Sequence, residues 1–289
     1  MFFENPGEFL NASQRAVTVF GMSGVGKTHL SDLLRHNNWF HYSADYRIGT
    51  RYMGEFIVDN FKYEAMKVPF LRDLLISDSI HLSSNITFNN LKPLSTYLGT
   101  PGNPEKGGLP FAAYQHRQKQ HQIAEVCALK DVPYFIERAK NLYGYSNFIA
   151  DTGGSFIEVV NPNDPEDEVI KTLARHSLLL YIRGSEENAH DLVKRFTKAP
   201  KPMYYPPALL VEKWQAFKDL HGIKKDADID PDAFAAWGFE ALLYDRLPRY
   251  QTLADNFGYT VDAGDLAAIR DGKDFLDLMR KAMATRQHP

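Results

Sequence analysis

Gly21-Met22-Ser23-Gly24-Val25-Gly26-Lys27-Thr28 fits the phosphate-binding loop pattern G-x-x-x-x-G-K-[ST] at every position. Glycines let successive backbone N–H groups turn inward around phosphate oxygens. The Lys27 ammonium can reach β- and γ-phosphates, and the Thr28 hydroxyl can ligate Mg²⁺. The helix that opens at Lys27 adds its N-terminal dipole to the same anion, with His29 in its first turn. These residue types predict a nucleotide site over residues 21 to 29.

Asp151 is the second chemical feature. It ends the apolar run Asn147-Phe148-Ile149-Ala150, and a carboxylate at the end of such a strand, paired with a phosphate loop, is the Walker B arrangement. There it holds Mg²⁺, directly or through water, beside Thr28; strands also end in Asp simply to form turns. Gly153-Gly154-Ser155 follows at once and either brings bare backbone amides to a substrate anion or makes a tight turn.

Several polar clusters allow two readings. Arg47 and Arg51 could clamp an anionic acceptor or form surface ion pairs. Glu137-Arg138-Ala139-Lys140 could point at the same cleft, and Asp245-Arg246-Leu247-Pro248-Arg249-Tyr250 could reach an acceptor phosphate or cap a helix. His116 and His121 are five apart, which does not stack them as a helical metal pair, so both are expected to face solvent.

Five candidate strands must position these groups: residues 16 to 20, 39 to 43, 147 to 151, 177 to 182 and 259 to 262. Helical patterns lie at residues 28 to 37, 112 to 129, 166 to 175 and 265 to 284. Strands alternating with helices predict an α/β fold, a five-stranded parallel sheet covered on both faces, with ligand at the carboxyl ends of the strands. Residues 1 to 50 and 147 to 289 are expected to form this core and residues 50 to 146 an inserted acceptor-binding or lid region. Residues 99 to 110 are too rich in glycine and proline for a regular element and suggest a lid, a binding loop or disorder. A helical insertion at 203 to 258 carries Trp214, Phe217, Phe234, Trp237, Phe239 and Tyr244 as packing anchors.

The order of these features resembles the P-loop small-molecule and nucleoside-monophosphate kinases, with the shikimate and gluconate kinases the nearest pattern. Those proteins carry D-x-D-x-x-I after strand two. Asp45, with Ile48 three residues on, falls on the second aspartate, which faces the acceptor hydroxyl as its base, and Ser43 replaces the first. Gly153-Gly154 lies where shikimate kinases have a triple glycine that holds the substrate. Residues 191 to 202, with Arg195, Lys194, Lys198 and Lys201, look like the basic lid, and Val261-Asp262-Ala263 is similar to the loop that packs against adenine. The resemblance implies catalytic roles for Lys27, Asp45 and Arg195, and acceptor contacts from Asp45, Arg47, Gly153 and Gly154. Thr28 and Asp151 would hold the metal, and ATP and Mg²⁺ would be used.

Composition bounds the rest. The chain has 289 residues and a net charge of -3, so it can bury a large core and has no overall basic footprint for nucleic acid. Its single cysteine, Cys127, excludes an internal disulfide and suits a reducing compartment; it reads as a packed helical side chain. No apolar stretch is long enough for a membrane span, and Met1-Phe2-Phe3-Glu4-Asn5-Pro6 lacks the pattern of a signal peptide. A cytoplasmic enzyme that phosphorylates a small, anionic hydroxyl acceptor is expected. An acceptor-free NTPase switch with a protein or nucleic-acid partner is the alternative, and a kinase of nucleic-acid ends, which needs a basic groove, comes third.

Overall fold

The structure, a computed structural model, describes residues 6 to 285, so the Met1-Phe2-Phe3-Glu4-Asn5 segment lies outside the described residues. In chain order, α1 (Pro6–Asn11), β1 (Arg15–Phe20), α2 (Lys27–Arg35) and β2 (Trp39–Ser43) come first. Helices α3 (Ala44–Arg47), α4 (Gly54–Ala65), α5 (Pro69–Ile76), α6 (Lys92–Leu98) and α7 (Phe111–Lys130) follow. Then come α8 (Val132–Asn141), β3 (Asn147–Asp151), α9 (Glu168–His176) and β4 (Leu178–Arg183). The chain closes with α10 (Glu186–Lys198), α11 (Pro207–His221), α12 (Pro231–Phe257), β5 (Gly258–Asp262), α13 (Ala263–Leu266) and α14 (Gly272–Thr285).

The five strands form one sheet in the order β2-β3-β1-β4-β5, and every pair is parallel. Val17, Val19, Phe20, Ile149 and Leu180 are all fully buried. Because neighbouring residues in a strand face opposite ways, such unbroken burial means that helices cover both faces. The path from β1 to β2 passes β3 in one direction, and the paths from β2 to β3 and from β3 to β4 run in the other. Right-handed crossovers therefore put α2 on one face and α8 and α9 on the other, and α8 does pack on α9. This is the α/β architecture that the alternating pattern predicts.

The chain forms two compact units. Met1–Ala44, Val126–Ala199 and Ala236–Pro289 make the first, and Asp45–Glu125 with Pro200–Ala235 make the second. Residues 203 to 258 are thus shared between the units, and residues 126 to 146 belong with the sheet. In the first unit Phe20 stacks on Tyr181 at 5.4 Å, meets the edge of Phe156 at 5.5 Å and lies 6.2 Å from Tyr250 of α12. In the same unit Trp39 meets Phe275 of α14 edge-on at 5.4 Å. The closing helix read at 265 to 284 is broken: α13 ends at Leu266 and α14 starts at Gly272, where Asp271 caps the new N-terminus by accepting from the amides of Lys273 and Asp274.

In the second unit, α7 turns a polar face inward. Tyr114, Gln118, His121 and Glu125, at helical spacing, are all buried. Tyr114 Oη donates to Met203 O at 2.7 Å, Gln118 takes the Tyr205 amide at 2.9 Å, and His121 stacks on Tyr204 at 5.0 Å. His121 is therefore not the solvent-facing residue expected, although His116 is exposed. The face periodicity was present, but polar side chains hide it from any reading based on hydrophobicity. Residues 99 to 110 form an ordered turn: Gly102 N donates to Leu109 O, Asn103 N to Ile229 O and Leu109 N to Thr100 O. Gly102 has φ +142°, and a Cβ there would stand 2.7 Å from Ile229 O, so glycine is required for the close approach. Trp214, Phe217, Phe234 and Phe239 are buried anchors as expected, whereas Tyr244 is exposed. Cys127 is half-buried on α7, and among the described residues no helix is long and apolar enough to cross a membrane.

Phe20 joins the central strand to α12, so Phe20→Ala should destabilise the protein by about 3–5 kcal/mol. Urea denaturation followed by circular dichroism checks this. The expected result is a lower midpoint with an unchanged slope.

Candidate active site

The phosphate loop is fixed where β1 leaves the sheet. Gly21, Gly24 and Gly26 have φ of 140°, 85° and 94°, a region that side chains disfavour. A Cβ on Gly21 would stand 2.5 Å from Ile182 O, so the loop runs hard against β4. Met22 and Val25 are buried under it, and Gly184 leaves the room that Met22 Cε fills. Ser23, Gly24, Thr28 and His29 face outward. Lys27 is buried, and its Nζ donates to Gly21 O at 2.8 Å and Met22 O at 2.9 Å.

Parallel pairing of β1 with β3 brings Asp151 beside Val19, two residues before the loop starts at Gly21. Thr28 Oγ1 donates to Asp151 Oδ2 at 2.8 Å. Burial pushes the Asp151 carboxyl above its ordinary range, against the pull of the Lys27 charge and the Thr28 hydrogen bond. A hydroxyl and a carboxylate side by side suit Mg²⁺, which keeps several waters and is usually held by one or two protein oxygens together with substrate phosphates. Among the described residues, no group of three or more His, Cys, Asp or Glu could hold a metal ion by itself.

His41 on β2 stands behind this pair. Its Nε2 lies 3.9 Å from Asp151 Oδ2, beyond hydrogen-bond reach, so that carboxylate does not fix a proton on the ring. Burial first, and then Arg35, lower its pKa from 6.5 to about 4, with Asp32 opposing. The ring is neutral at neutral pH. Nothing in the sequence marks His41 except its place in a strand next to Asp151.

After Asp151 the chain turns back under the phosphate loop. Thr152 Oγ1 donates to Val19 O at 3.0 Å, and a Cβ on Gly154 would stand 3.2 Å from Ser23 Oγ and 3.8 Å from Arg246 Nη1. Gly153-Gly154 is therefore both a tight turn and an approach of bare backbone to the phosphate loop. A short turn, Phe156–Glu158, leads to Glu158, whose carboxylate is wholly buried. It accepts from Arg246 Nε at 2.6 Å and from Arg249 Nη1 at 2.7 Å. Arg249 also donates to Asp245 at 3.0 Å and to Ile157 O at 2.6 Å, and Tyr250 Oη donates to Gly154 O. The cluster at 245 to 250 is thus part of the site, held by contacts that span about ninety residues of chain and leave no mark on local pattern.

Of the expected lid residues, Lys194, Arg195 and Lys198 lie on α10, whose start is fixed by a capping box between Ser185 and Asn188, and Lys201 lies beyond its end. Arg195 is exposed, and its Nη2 lies 3.2 Å from where a Cβ on Gly24 would be. Ser23 and Gly24 on one side and Asn188, Asp191, Lys194 and Arg195 on the other line a groove of about 480 Å³. Val261 is buried at the end of β5, Asp262 holds Arg183 through bonds of 2.7 and 3.1 Å, and Ala263 starts α13. Asp45 and Arg47 lie half-buried in α3 of the second unit, and Arg47 sits 5.5 Å over the Tyr52 ring. Arg51 is exposed in the wide turn Ile48–Tyr52. Arg138 and Lys140 lie near the C-terminus of α8, before β3 starts, and Lys140 reaches Gln14, which precedes β1. That is the amino end of the strands, so this cluster does not share the cleft as expected.

No family model matches the chain. No curated protein matches it. Among solved structures it is similar to the 1.7 Å crystal structure of shikimate kinase from Bacteroides thetaiotaomicron, at 14% identity over 92% of this chain and 97% of that chain, with a TM-score of 0.37. A likeness at that score says nothing about chemistry, which must come from the residues themselves.

The His41 shift has a stability consequence. Between pH 6.5 and about 4 the unfolded ring takes up a proton that the folded ring refuses. The contribution is fully present above pH 6.5 and is lost as pH falls toward 4, by about 3 kcal/mol in all. Urea denaturation across that window should show a shallower loss of stability on acidification in His41→Gln than in the wild type.

Proposed function

We propose that this chain is an ATP- and Mg²⁺-dependent phosphotransferase acting on a hydroxyl of a small anionic acceptor. The observation that carries the reading is the place of Gly154, where a Cβ would meet Ser23 Oγ of the phosphate loop at 3.2 Å and Arg246 Nη1 at 3.8 Å. A turn that can hold an anion lies between a guanidinium and the loop built to hold a nucleotide triphosphate, which suits transfer between two bound anions.

In this reading the loop amides and Lys27 bind the β- and γ-phosphates, Lys27 exchanging two carbonyl oxygens for phosphate oxygens. Thr28 and Asp151 hold Mg²⁺, which supplies charge neutralisation at the phosphates. Arg195 adds a cation from α10 as the γ-phosphoryl moves. Gly153, Gly154 and Arg246 hold the acceptor's anionic group, and Arg47 contributes to the same end. Asp45 takes the proton of the acceptor hydroxyl as its oxygen forms the new bond to phosphorus. The β–γ bridge breaks, and ADP leaves. Val261, Asp262 and Ala263 pack near the base, and His29 lies at the margin of the phosphates. The protein is read as cytoplasmic, with a small-molecule partner.

One observation favours the alternative, an NTPase switch with a protein partner. Helix α5 buries no residue, and its Phe70 and Ile76 are 70% and 68% exposed.

Asp45→Asn separates the two. A general base contributes about 10² to 10⁴ in rate, so a kinase variant should keep nucleotide affinity and lose transfer by that factor. ATP consumption should be slow alone and faster with a pool of cell metabolites, and only the stimulated part should fall in the variant. A wild-type rate indifferent to the pool, with an unaffected variant, favours the switch.

A further inference from the structure

Arg246 is a long, flexible side chain buried in the first unit, and such a charge needs a reason to stay in place. Glu158 supplies it. Its two oxygens divide between two arginines, Oε1 taking Arg246 Nε at 2.6 Å and Oε2 taking Arg249 Nη1 at 2.7 Å. Glu158 is itself held by the turn Phe156–Glu158, whose neighbours are pinned to the same helix: Ile157 O by Arg249 and Gly154 O by Tyr250. Pro248 lies between the arginines within α12. The segment from Gly154 to Glu158 and one stretch of α12 are thus tied at four places, with Arg246 Nη1 at the Gly154 end.

We infer that Glu158 is a positioning residue: by fixing Nε of Arg246 and the neighbouring Arg249, it aims the Arg246 guanidinium at the Gly153-Gly154 turn and so sets the affinity of that turn for an anion. This rests on the reading of Arg246 as the acceptor's anion anchor. A guanidinium held in advance loses little conformational freedom when the anion arrives, and the buried carboxylate balances its charge while the anion is absent. Glu158 itself touches no substrate. Its bond is to Nε of Arg246, whereas Nη1 is the atom 3.8 Å from where a Cβ on Gly154 would stand.

The test uses the full chain saturated with Mg²⁺ and a non-hydrolysable ATP analogue, titrated with inorganic phosphate by calorimetry. Wild type should bind phosphate, and Arg246→Ala should abolish that binding. Glu158→Gln should weaken it about tenfold, the size of one side chain's lost pre-organisation, and Glu158→Asp about threefold, with nucleotide affinity unchanged in all. A carboxylate that only braced the fold would lower the melting temperature and leave phosphate affinity of the folded protein untouched. Undiminished affinity in Glu158→Gln therefore overturns the positioning role alone. Should that variant not fold, undiminished affinity in Glu158→Asp does the same, because a carboxylate one methylene shorter holds Arg246 less closely. No phosphate binding by wild type, or full binding by Arg246→Ala, overturns the anion anchor and the role of Glu158 with it.

Discussion

A buried ammonium against two backbone carbonyls organises the site. Lys27 Nζ draws in Gly21 O and Met22 O, which closes the loop into a turn that only glycines at 21, 24 and 26 can follow. Such a charge is costly to bury without polar partners, and the two carbonyls are among those that hold it in the loop. The loop's geometry follows from the sheet: β4 blocks any side chain at Gly21, and β3 delivers Asp151 to Thr28.

The second half of the site depends on α12 as much as on the sheet. Tyr250 is buried against Phe20 and Tyr181 while its hydroxyl holds Gly154 O, so one residue serves the core and the site together. Burial pushes the Tyr181 hydroxyl up to about 12, and that side chain stays neutral within the aromatic stack. Arg246 and Arg249 then meet Glu158 one helical turn and less from Tyr250. Loss of Glu158 would take a carboxylate from buried Arg246, while the partly exposed Arg249 would keep Asp245.

The strand pattern, the phosphate loop and Asp151 were legible in the sequence because each is a local signal. Residues 39 to 43 and 147 to 151 are strands as read, β1 and β5 each start one residue earlier than read, and β4 is shifted by one residue at both ends. What was not legible depends on contacts far apart in the chain. The Glu158 to Arg246 bond spans 88 residues, and neither partner looks unusual in its own segment. The inward face of α7 was missed because Gln118, His121 and Glu125 are polar, and burial of polar groups is decided by partners rather than by periodicity. The same holds for residues 200 to 235, which group with 45 to 125 although α12 runs unbroken from Pro231 to Phe257.

The central claim is that the Lys27 loop binds a nucleotide triphosphate with its magnesium, and thermal unfolding against ligand concentration measures it directly. A ligand that binds only the folded chain stabilises it by about 2.7 kcal/mol at a hundred times its Kd. The melting temperature of the wild type should climb steadily with Mg·ATP, and that of Lys27→Ala should stay flat over the same range. A wild type that does not respond, or a Lys27→Ala variant that climbs alongside it, would contradict the account.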